Sequence, residues 1–499
     1  MLQLDAIYNA FMALMTPLRD LLLLFPESWY GSLPVLTLIA FAIIALVVGM
    51  RFNPLPVSII GIIITFIEVM ILNPNLYGSS FGGLFIRDAF ADFFIYLILV
   101  VAFLVLLSAT QYGGDKGPYN FLLMISFAGA LWVVMATDLV ALFLAWELMS
   151  TPTYILVALS PDRGALDGAT KYFVMGLIST MFMIFGIALV YGITGVTALS
   201  AVASGIEEVW ADPISLATEA YTLLLAMVLF VIAFGFKVGI FPGWMWVPDA
   251  YATADGSVTA YLAGATKKTG ISALVRILMV GFIIARFEWL GLIIVVSILT
   301  MVIGNFLALA QKDILRMLAF SSIAMMGYVF IGFAVSTTYG ISSAFFLAFI
   351  HALMKAGAFI IIFAMSIALG KRITYTELSG LSQRSPIIAA MLGILMLSLA
   401  GFPPTAGFTP KFMVFMSTAE VGLWWLGLIG FLNVVFSLGY YLRVLRVMYF
   451  SESTSTERIT LPRIPMIAAL ICVISMIVLF LYPGVILDLA NSAAAVLVP

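Results

Sequence analysis

Long apolar stretches follow one another along the whole chain, with only short polar segments between them. Hydrophobic residues make up 64% of the 499 residues and charged residues only 9%, whereas soluble domains have about 45–50% apolar and about 25% charged residues. A membrane-spanning helix needs about 20 mostly apolar residues. The bilayer is therefore the natural solvent for this chain, and we predict an all-α integral membrane protein.

Hydropathy separates about 14 predicted spans, each long enough to cross the hydrocarbon core as a helix. Their approximate limits are 33–51, 55–73, 86–109, 119–136, 138–159, 168–195, 218–241, 257–283, 287–310, 314–335, 341–370, 385–416, 421–448 and 464–488. No linker is long enough to separate a soluble domain. Lys and Arg are spread too evenly over the loops to orient the chain. Residues 8–25 are interpreted as an amphipathic or peripheral segment.

Two of the predicted spans carry helix breakers. Glycines at 264 and 270 flank a polar stretch in the eighth span, and Gly401 to Gly407 with two prolines interrupts the twelfth. Proline removes a backbone donor, and backbone groups freed within a bilayer must face protein or water. Breaks in corresponding halves of a chain are typical of transport sites. We therefore expect broken helices at spans 7/8 and 12.

Three pairs of residues suggest an internal repeat. Asp138 and Asp313, Tyr154 and Tyr328, and Lys237 and Lys411 are each 174 or 175 residues apart. The spacing agrees with a five-helix unit in spans 4–8 that recurs in spans 9–13, and an odd number of helices inverts the second unit. The predicted organisation is spans 1–3 in 1–118, first repeat in 119–283, second repeat in 287–448, and a loop with span 14 in 449–499.

Charged residues inside the predicted spans are the most informative feature, because a charge at mid-membrane is costly and marks an ion path or a buried pair. Buried carboxylates and lysines can be poised to exchange protons, and histidine titrates near neutrality. A static ion pair, a snorkelling lysine or a satisfied core histidine is the structural alternative at each position. The predicted proton-path residues are Glu147, Lys171, Lys237, Lys267, Lys268, His351, Lys355 and Lys411.

Some details of these positions stay open from the residues alone. A Glu147–Lys237 ion pair would tune both groups. Lys267 and Lys268 point about 100° apart on a helix, so only one needs to line a path. His351 and the lysine four residues later share a helix face.

Four other charged residues fit less specific roles. Arg276 is interpreted as structural or as an anchor, and Asp249 as a residue that caps or positions the loop after span seven. Glu68 and Asp92 are expected at an interface or against a neighbouring subunit.

The composition also excludes several functions. A net charge of −2 argues against a nucleic-acid partner. One cysteine, Cys472, cannot hold an iron–sulfur cluster or a structural zinc, and one histidine cannot form a bis-histidine haem site. No Gly-rich nucleotide fingerprint lies between a strand and a helix. Any redox chemistry therefore belongs to partner subunits.

Five motifs together resemble the antiporter-like subunits of respiratory complex I, a family shared with multisubunit sodium/proton antiporters and membrane-bound hydrogenases. The resemblance covers about residues 85–450. The motifs are LAWELMS at 144–150, FK at 236–237 followed by WVPD at 246–249, RMLAFSSI at 316–323, HALMK at 351–355, and LAGFPP at 399–404 with GF at 407–408 and KF at 411–412.

The resemblance implies a 14-helix subunit with two inverted five-helix repeats, each holding a half-channel. It implies that Glu147 and Lys237 form the first half-channel pair, that Lys268 is the central lysine and that Lys411 serves the second half-channel. Lys171, His351 and Lys355 match relay positions. The paired Lys267-Lys268 departs from the family's single lysine, so the central residue stays open.

Membership in this family further implies partners and cofactors outside the chain. Other membrane subunits, including other antiporter-like ones, would surround it, and flavin, iron–sulfur clusters and a quinone or methanophenazine site would lie in partner subunits. The length, the LFPE segment at 24–27 and DFF at 92–94 favour the N-type subgroup, which includes archaeal versions with reduced deazaflavin or ferredoxin as donor. The M-type and the antiporter D-type are the alternatives.

Three functions follow from these observations. The first is a proton-translocating subunit of a redox-driven complex, not catalytic alone, in a prokaryotic cytoplasmic membrane. The second is a subunit of a sodium/proton antiporter or membrane-bound hydrogenase. The third is a structural membrane scaffold in which the charges only pair helices.

Overall fold

The computed structural model describes residues 16–17, 25–72, 78–453 and 458–498. Most of the segment 8–25, which the sequence analysis interprets as peripheral, lies outside these residues. The described chain is almost entirely helical, apart from a two-stranded antiparallel hairpin. The principal helices before the chain midpoint are α1 Leu33–Gly49, α2 Leu55–Ile71, α3 Ala89–Ser108, α4 Lys116–Met135, α5 Leu139–Ala158, α6 Ala165–Thr194, α7 Leu199–Ala211, α8 Pro213–Thr218 and α9 Ala220–Val238, and the hairpin strands are β1 Ser79–Ser80 and β2 Phe85–Ile86.

The remaining helices complete the bundle. They are α10 Val247–Thr253, α11 Gly256–Tyr261, α12 Lys267–Arg276, α13 Arg286–Leu309, α14 Ile314–Val335, α15 Thr338–Leu369, α16 Tyr375–Leu378, α17 Leu381–Arg384, α18 Pro386–Ala400, α19 Phe408–Glu420, α20 Trp424–Phe450, α21 Arg463–Leu481 and α22 Gly484–Ala495. Short 3₁₀ turns occupy Glu27–Ser32 and Ala109–Gln111, and π-helical turns occupy Leu262–Thr266 and Ile277–Gly281.

Eleven helices of the described chain are long and apolar enough to cross a membrane. The predicted spans outside this set are the second, which is 17 residues long, and the eighth and twelfth, which are interrupted. Each predicted span overlaps helix in the described structure, whereas α7 has no counterpart among the predicted spans. Its 13 residues bury only one face, as in an amphipathic helix that connects two spans.

The two predicted breaks take different forms. In the twelfth span, α18 ends at Gly401, which has φ of +88°, and α19 begins only at Phe408. In the eighth span, helical backbone continues through a π turn at Leu262–Thr266. The eighth span therefore has a widened helical turn where a break in the helix is predicted. A π turn leaves carbonyl groups without their usual partners and is frequent at functional sites.

Helices α14 and α15 form the centre of the molecule. The span at Ile314–Val335 is buried over its whole apolar window, whereas the window of Ala165–Thr194 is only 28% buried. α14 and α15 pack against each other, and α15 also contacts α11, α18, α19 and α21. The interior around these two helices is consequently shielded from lipid, which is the environment that intramembrane charge requires.

Candidate functional site

Six basic side chains lie in the interior of the bundle. Each is at most 3% exposed, and they are Lys237, Lys267, Lys268, His351, Lys355 and Lys411. They come from four helices, α9, α12, α15 and α19, and the π turn directly precedes the two lysines of α12. We call this set the basic row.

Lys237 sits at the end of α9, where the helix stops at Gly239 with φ of +73°. Its ammonium donates hydrogen bonds to the Tyr172 hydroxyl at 2.5 Å and to Thr153 Oγ1 at 3.2 Å. The ring centroid of Tyr154 lies 5.3 Å from Nζ. Hydroxyl groups and an aromatic face thus hold this lysine, and both can accommodate a charged or a neutral amine.

Glu147 occupies a half-buried position on α5. Its carboxylate accepts hydrogen bonds from Thr180 at 2.7 Å and Thr151 at 3.4 Å. In the part of the chain that the structure describes, Glu147 and Lys237 are not in ion-pair contact. The hydroxyls of Thr153 and Tyr172 satisfy the lysine instead.

Lys267 and Lys268 are both buried, and they face different neighbours. Lys268 Nζ lies 2.5 Å from the Ala263 carbonyl oxygen, within the π turn, and 3.0 Å from His351 Nδ1. Lys267 Nζ has no hydrogen-bond partner among the described residues, and it lies 5.4 Å from the ring centroid of Tyr251. The divergence agrees with the 100° step between adjacent helical residues.

His351 and Lys355 share one face of α15 but bind different helices. His351 contacts Lys268 on α12. Lys355 donates to the Leu318 carbonyl at 2.8 Å and to the Ser321 hydroxyl, both on α14. α15 therefore connects the two ends of the row.

Lys411 lies in the first turn of α19, directly after the break. Its ammonium donates to the carbonyl oxygens of Leu399 at 2.7 Å and Ala400 at 3.2 Å. These are final carbonyls of α18, which have no partner within their own helix. The ring centroid of Tyr328 lies 5.6 Å from Nζ. The break thus creates the acceptors that hold the lysine.

Lys171 lies outside the basic row. Its side chain is 48% exposed and forms ion pairs with Asp167 at 2.8 Å and Asp249 at 3.1 Å. Asp249 also binds Arg316 at 2.6 Å. Burial acts to raise the pKa of Asp249, but the bonds from Arg316 and Lys171 outweigh it and lower that pKa below its usual value. Asp249 therefore joins α10 to α6 and α14, in line with a positioning role.

Three other charged residues of the predicted spans have partners within the chain. Arg276 binds Asp88 through two hydrogen bonds of 2.8 and 3.0 Å, which agrees with a structural role. Asp92 pairs with Arg87 at 2.6 Å, and Glu68 accepts a hydrogen bond from Thr37 at 2.9 Å. Asp92 is 3% exposed and Glu68 5% exposed. The expectation that these two acids lie at an interface is therefore wrong.

The hydroxyl groups that hold the charged residues are not among the predicted site residues. Thr153 and Tyr172 bind Lys237, Thr180 binds Glu147, and Ser321 binds Lys355. One signal was available: residues 150–154 read STPTY within an otherwise apolar span. Polar residues clustered near an intramembrane charge are expected to be its partners.

A family model described as NADH:quinone oxidoreductase/Mrp antiporter, transmembrane, matches residues 136–437. The chain belongs to this family. A relative from Methanosarcina mazei, F(420)H(2) dehydrogenase subunit N, is 33% identical over 493 residues, which is 93% of this chain and 98% of the relative. NADH-quinone oxidoreductase subunit N of Rhodospirillum rubrum is 34% identical over 480 residues, 93% of this chain and 97% of that one.

A solved structure extends the likeness to the fold. One chain of the membrane-bound sulfane sulfur reductase, an archaeal respiratory membrane complex, superposes with a TM-score of 0.84 at 25% identity, over 94% of this chain and 97% of that chain. The expected antiporter-like membrane fold is confirmed. With bacterial and archaeal relatives of the same family, the chain is an integral protein of the cytoplasmic membrane.

Proposed function

We propose that the chain translocates protons across the membrane as an N-type, antiporter-like subunit of a redox-driven complex. The observation that carries the proposal is the basic row, whose centre is the 3.0 Å contact between Lys268 and His351. Glu147 stands at one end of the path and Lys411 at the other.

The chemistry of these side chains suits proton transfer. Lysine and histidine can exist in charged and neutral forms inside a protein, whereas arginine keeps its charge. In the described structure no carboxylate forms an ion pair with any member of the basic row. Like charges at close range disfavour one another. A proton that arrives at one position therefore promotes release from the next, and the charge state can propagate along the row.

The proposed layout is 14 spans with two inverted five-helix repeats, covering 119–283 and 287–448. Matched local structure supports it. Asp138 and Asp313 each cap the helix that follows, and each forms a bridge with a residue after a later span, Ala198 and Thr374. The Tyr154–Lys237 and Tyr328–Lys411 distances of 5.3 and 5.6 Å are also alike.

Electron transfer in partner subunits would drive the proton movement. The names of the relatives, dehydrogenase and quinone oxidoreductase subunits, favour this class over a stand-alone sodium/proton antiporter. In this proposal the flavin, the iron–sulfur clusters and the quinone-type site lie in the partners, and other membrane subunits contact this chain.

The first test is proton pumping per electron in inverted membrane vesicles that carry Lys237→Ala in the assembled complex. We expect proton translocation to fall by about 100-fold, the lower end of what a positioned proton-transfer group contributes. Lys312→Ala is the matched control, because Lys312 is exposed and should leave pumping unchanged.

Each outcome decides between the proposed classes. Loss of pumping with assembly intact supports a redox-driven proton path. Normal pumping per electron in Lys237→Ala would refute the proposal and favour a scaffold role. Sodium-dependent proton exchange without any redox donor would instead place the chain among the antiporters.

A further inference from the structure

A large cavity opens at one end of the bundle, away from the basic row. Its volume is about 740 Å³, enough for many waters, each of which takes about 30 Å³ in the liquid. Loops after α3, α5, α10 and α15 surround it, so it lies where both proposed repeats meet. Asp162 and Arg372 at its rim form an ion pair of 2.9 Å. The cavity thus opens at one end of the bundle, with a charged pair at its rim.

A buried acid forms part of the cavity wall. Asp255 lines the cavity although the residue is only 3% exposed. Its Oδ1 accepts hydrogen bonds from the Tyr119 hydroxyl at 2.9 Å and the Ser257 hydroxyl at 2.5 Å. The two hydroxyls also lie 2.5 Å from each other. This triad is a connected set of groups that can give and accept protons.

A second pair of hydroxyls lies deeper along the same two helices. Tyr261, four residues after Ser257, lies 2.8 Å from Ser126 Oγ, seven residues after Tyr119. Residues four and seven apart share a helix face. The two polar contacts therefore follow one seam between α4 and α11, and this seam leads from the cavity toward the π turn that precedes Lys267 and Lys268.

We propose that this cavity is the aqueous proton entrance of the chain, with the Asp255–Tyr119–Ser257 triad as its first proton-accepting group. Protons would pass from water in the cavity to Asp255, and then along the seam at Tyr261 and Ser126 to the basic row. The inference rests on the proposed proton translocation and assigns its access point to one face of the membrane.

A purely structural role explains less of the geometry. Asp255 does cap α11 by accepting from Ser257 N at 3.0 Å, but a cap needs no burial and no second hydroxyl partner. At the cavity wall, both side-chain polar groups of Gln111 lack a hydrogen-bond partner among the described residues. Buried amides of this kind bind ordered water. A water-filled cavity satisfies both residues.

Water access is tested by cysteine labelling. The single native cysteine, Cys472, is buried. We expect it not to react, so that labelling of this chain reports the added cysteines. We expect Gln111→Cys and Ser160→Cys, two positions that line the cavity, to react in the assembled complex with a charged, membrane-impermeant methanethiosulfonate from one side only. If neither cysteine reacted with reagent added to either side of the membrane, the proposal would be overturned.

The role of the acid is tested by Asp255→Asn, which keeps a helix-capping side chain. Proton translocation should fall about 100-fold, as for loss of a positioned proton-transfer group, and Asp255→Glu should recover part of it. Asp115→Asn is the control, because Asp115 is an exposed cap of α4 at the same end of the bundle. Normal pumping in assembled Asp255→Asn would contradict the entrance.

The two proposals fail differently. If Lys237→Ala pumps normally, proton translocation through this chain is wrong, and the entrance falls with it. If Lys237→Ala abolishes pumping while Asp255→Asn pumps normally, the entrance alone is wrong.

Discussion

Two sets of buried cations lie within the predicted membrane spans, and their partners differ. Arg87 and Arg276 are each held by an aspartate, with their shortest bonds at 2.6 and 2.8 Å. Four lysines of the basic row are held by hydroxyls, main-chain carbonyls and a histidine, namely Lys237, Lys268, Lys355 and Lys411. No lysine of the row forms an ion pair in the described structure. The arginines are neutralised pairs, whereas the lysines have no counter-charge in contact.

The difference separates architecture from function. A buried arginine keeps its charge, so it needs a permanent carboxylate and serves as a fixed link between elements. A buried lysine without a carboxylate can lose its proton, because hydroxyl and aromatic neighbours tolerate both forms. A buried cation that can lose its proton therefore suits proton transport, whereas one that keeps its charge suits a structural role.

The largest expected effect comes from breaking an arginine pair. Arg276→Met leaves Asp88 as an uncompensated charge in a largely buried site, and we expect destabilisation by about 3–5 kcal/mol. Thermal unfolding of the purified complex and the assembled fraction measure the loss. Molecules that do assemble should pump normally per electron.

Arg87→Met provides a second check, because Arg87 pairs with Asp92 in the first turn of α3, whereas Arg276 joins α12 to Asp88, the N-cap of α3. If both variants assembled stably but lost pumping, the arginines would belong to the proton path, and their assignment as structural would be wrong.

The smallest expected effect is at Lys171. Its ion pairs are exposed and screened by solvent, and such pairs contribute little. Lys171→Gln should leave pumping per electron and assembly close to wild type, with Lys312→Gln as the matched surface control. A loss of pumping as large as that of Lys237→Ala would place Lys171 on the path after all, as its motif position implies.

Much of the fold was predictable, because apolar length and the cost of intramembrane charge dominate this sequence. The helices, the break at 401–407 and the buried positions of six basic residues follow from those two effects. The hydrogen-bond partners of the charged residues did not follow from them. Glu147 and Lys237 are each held by different threonine and tyrosine hydroxyls, and side-chain contacts between distant helices depend on packing that hydropathy does not encode.

The same limit explains the acids of the first spans. Glu68 and Asp92 looked like interface residues, yet Thr37 and Arg87 hold them inside the chain. Arg87 lies outside the helices, between the hairpin and α3, where hydropathy gives no sign of its direction. Such pairings became visible only with the tertiary structure.

The central claim is that the side chains of the basic row move protons because each of them can be charged or neutral. The most direct test is proton pumping per electron for two reciprocal variants, Lys268→Arg and Arg276→Lys, in inverted vesicles with assembly verified. We predict that Lys268→Arg assembles but loses pumping, since its charge cannot be removed, whereas Arg276→Lys pumps at the wild-type ratio. Normal pumping by assembled Lys268→Arg would contradict the account.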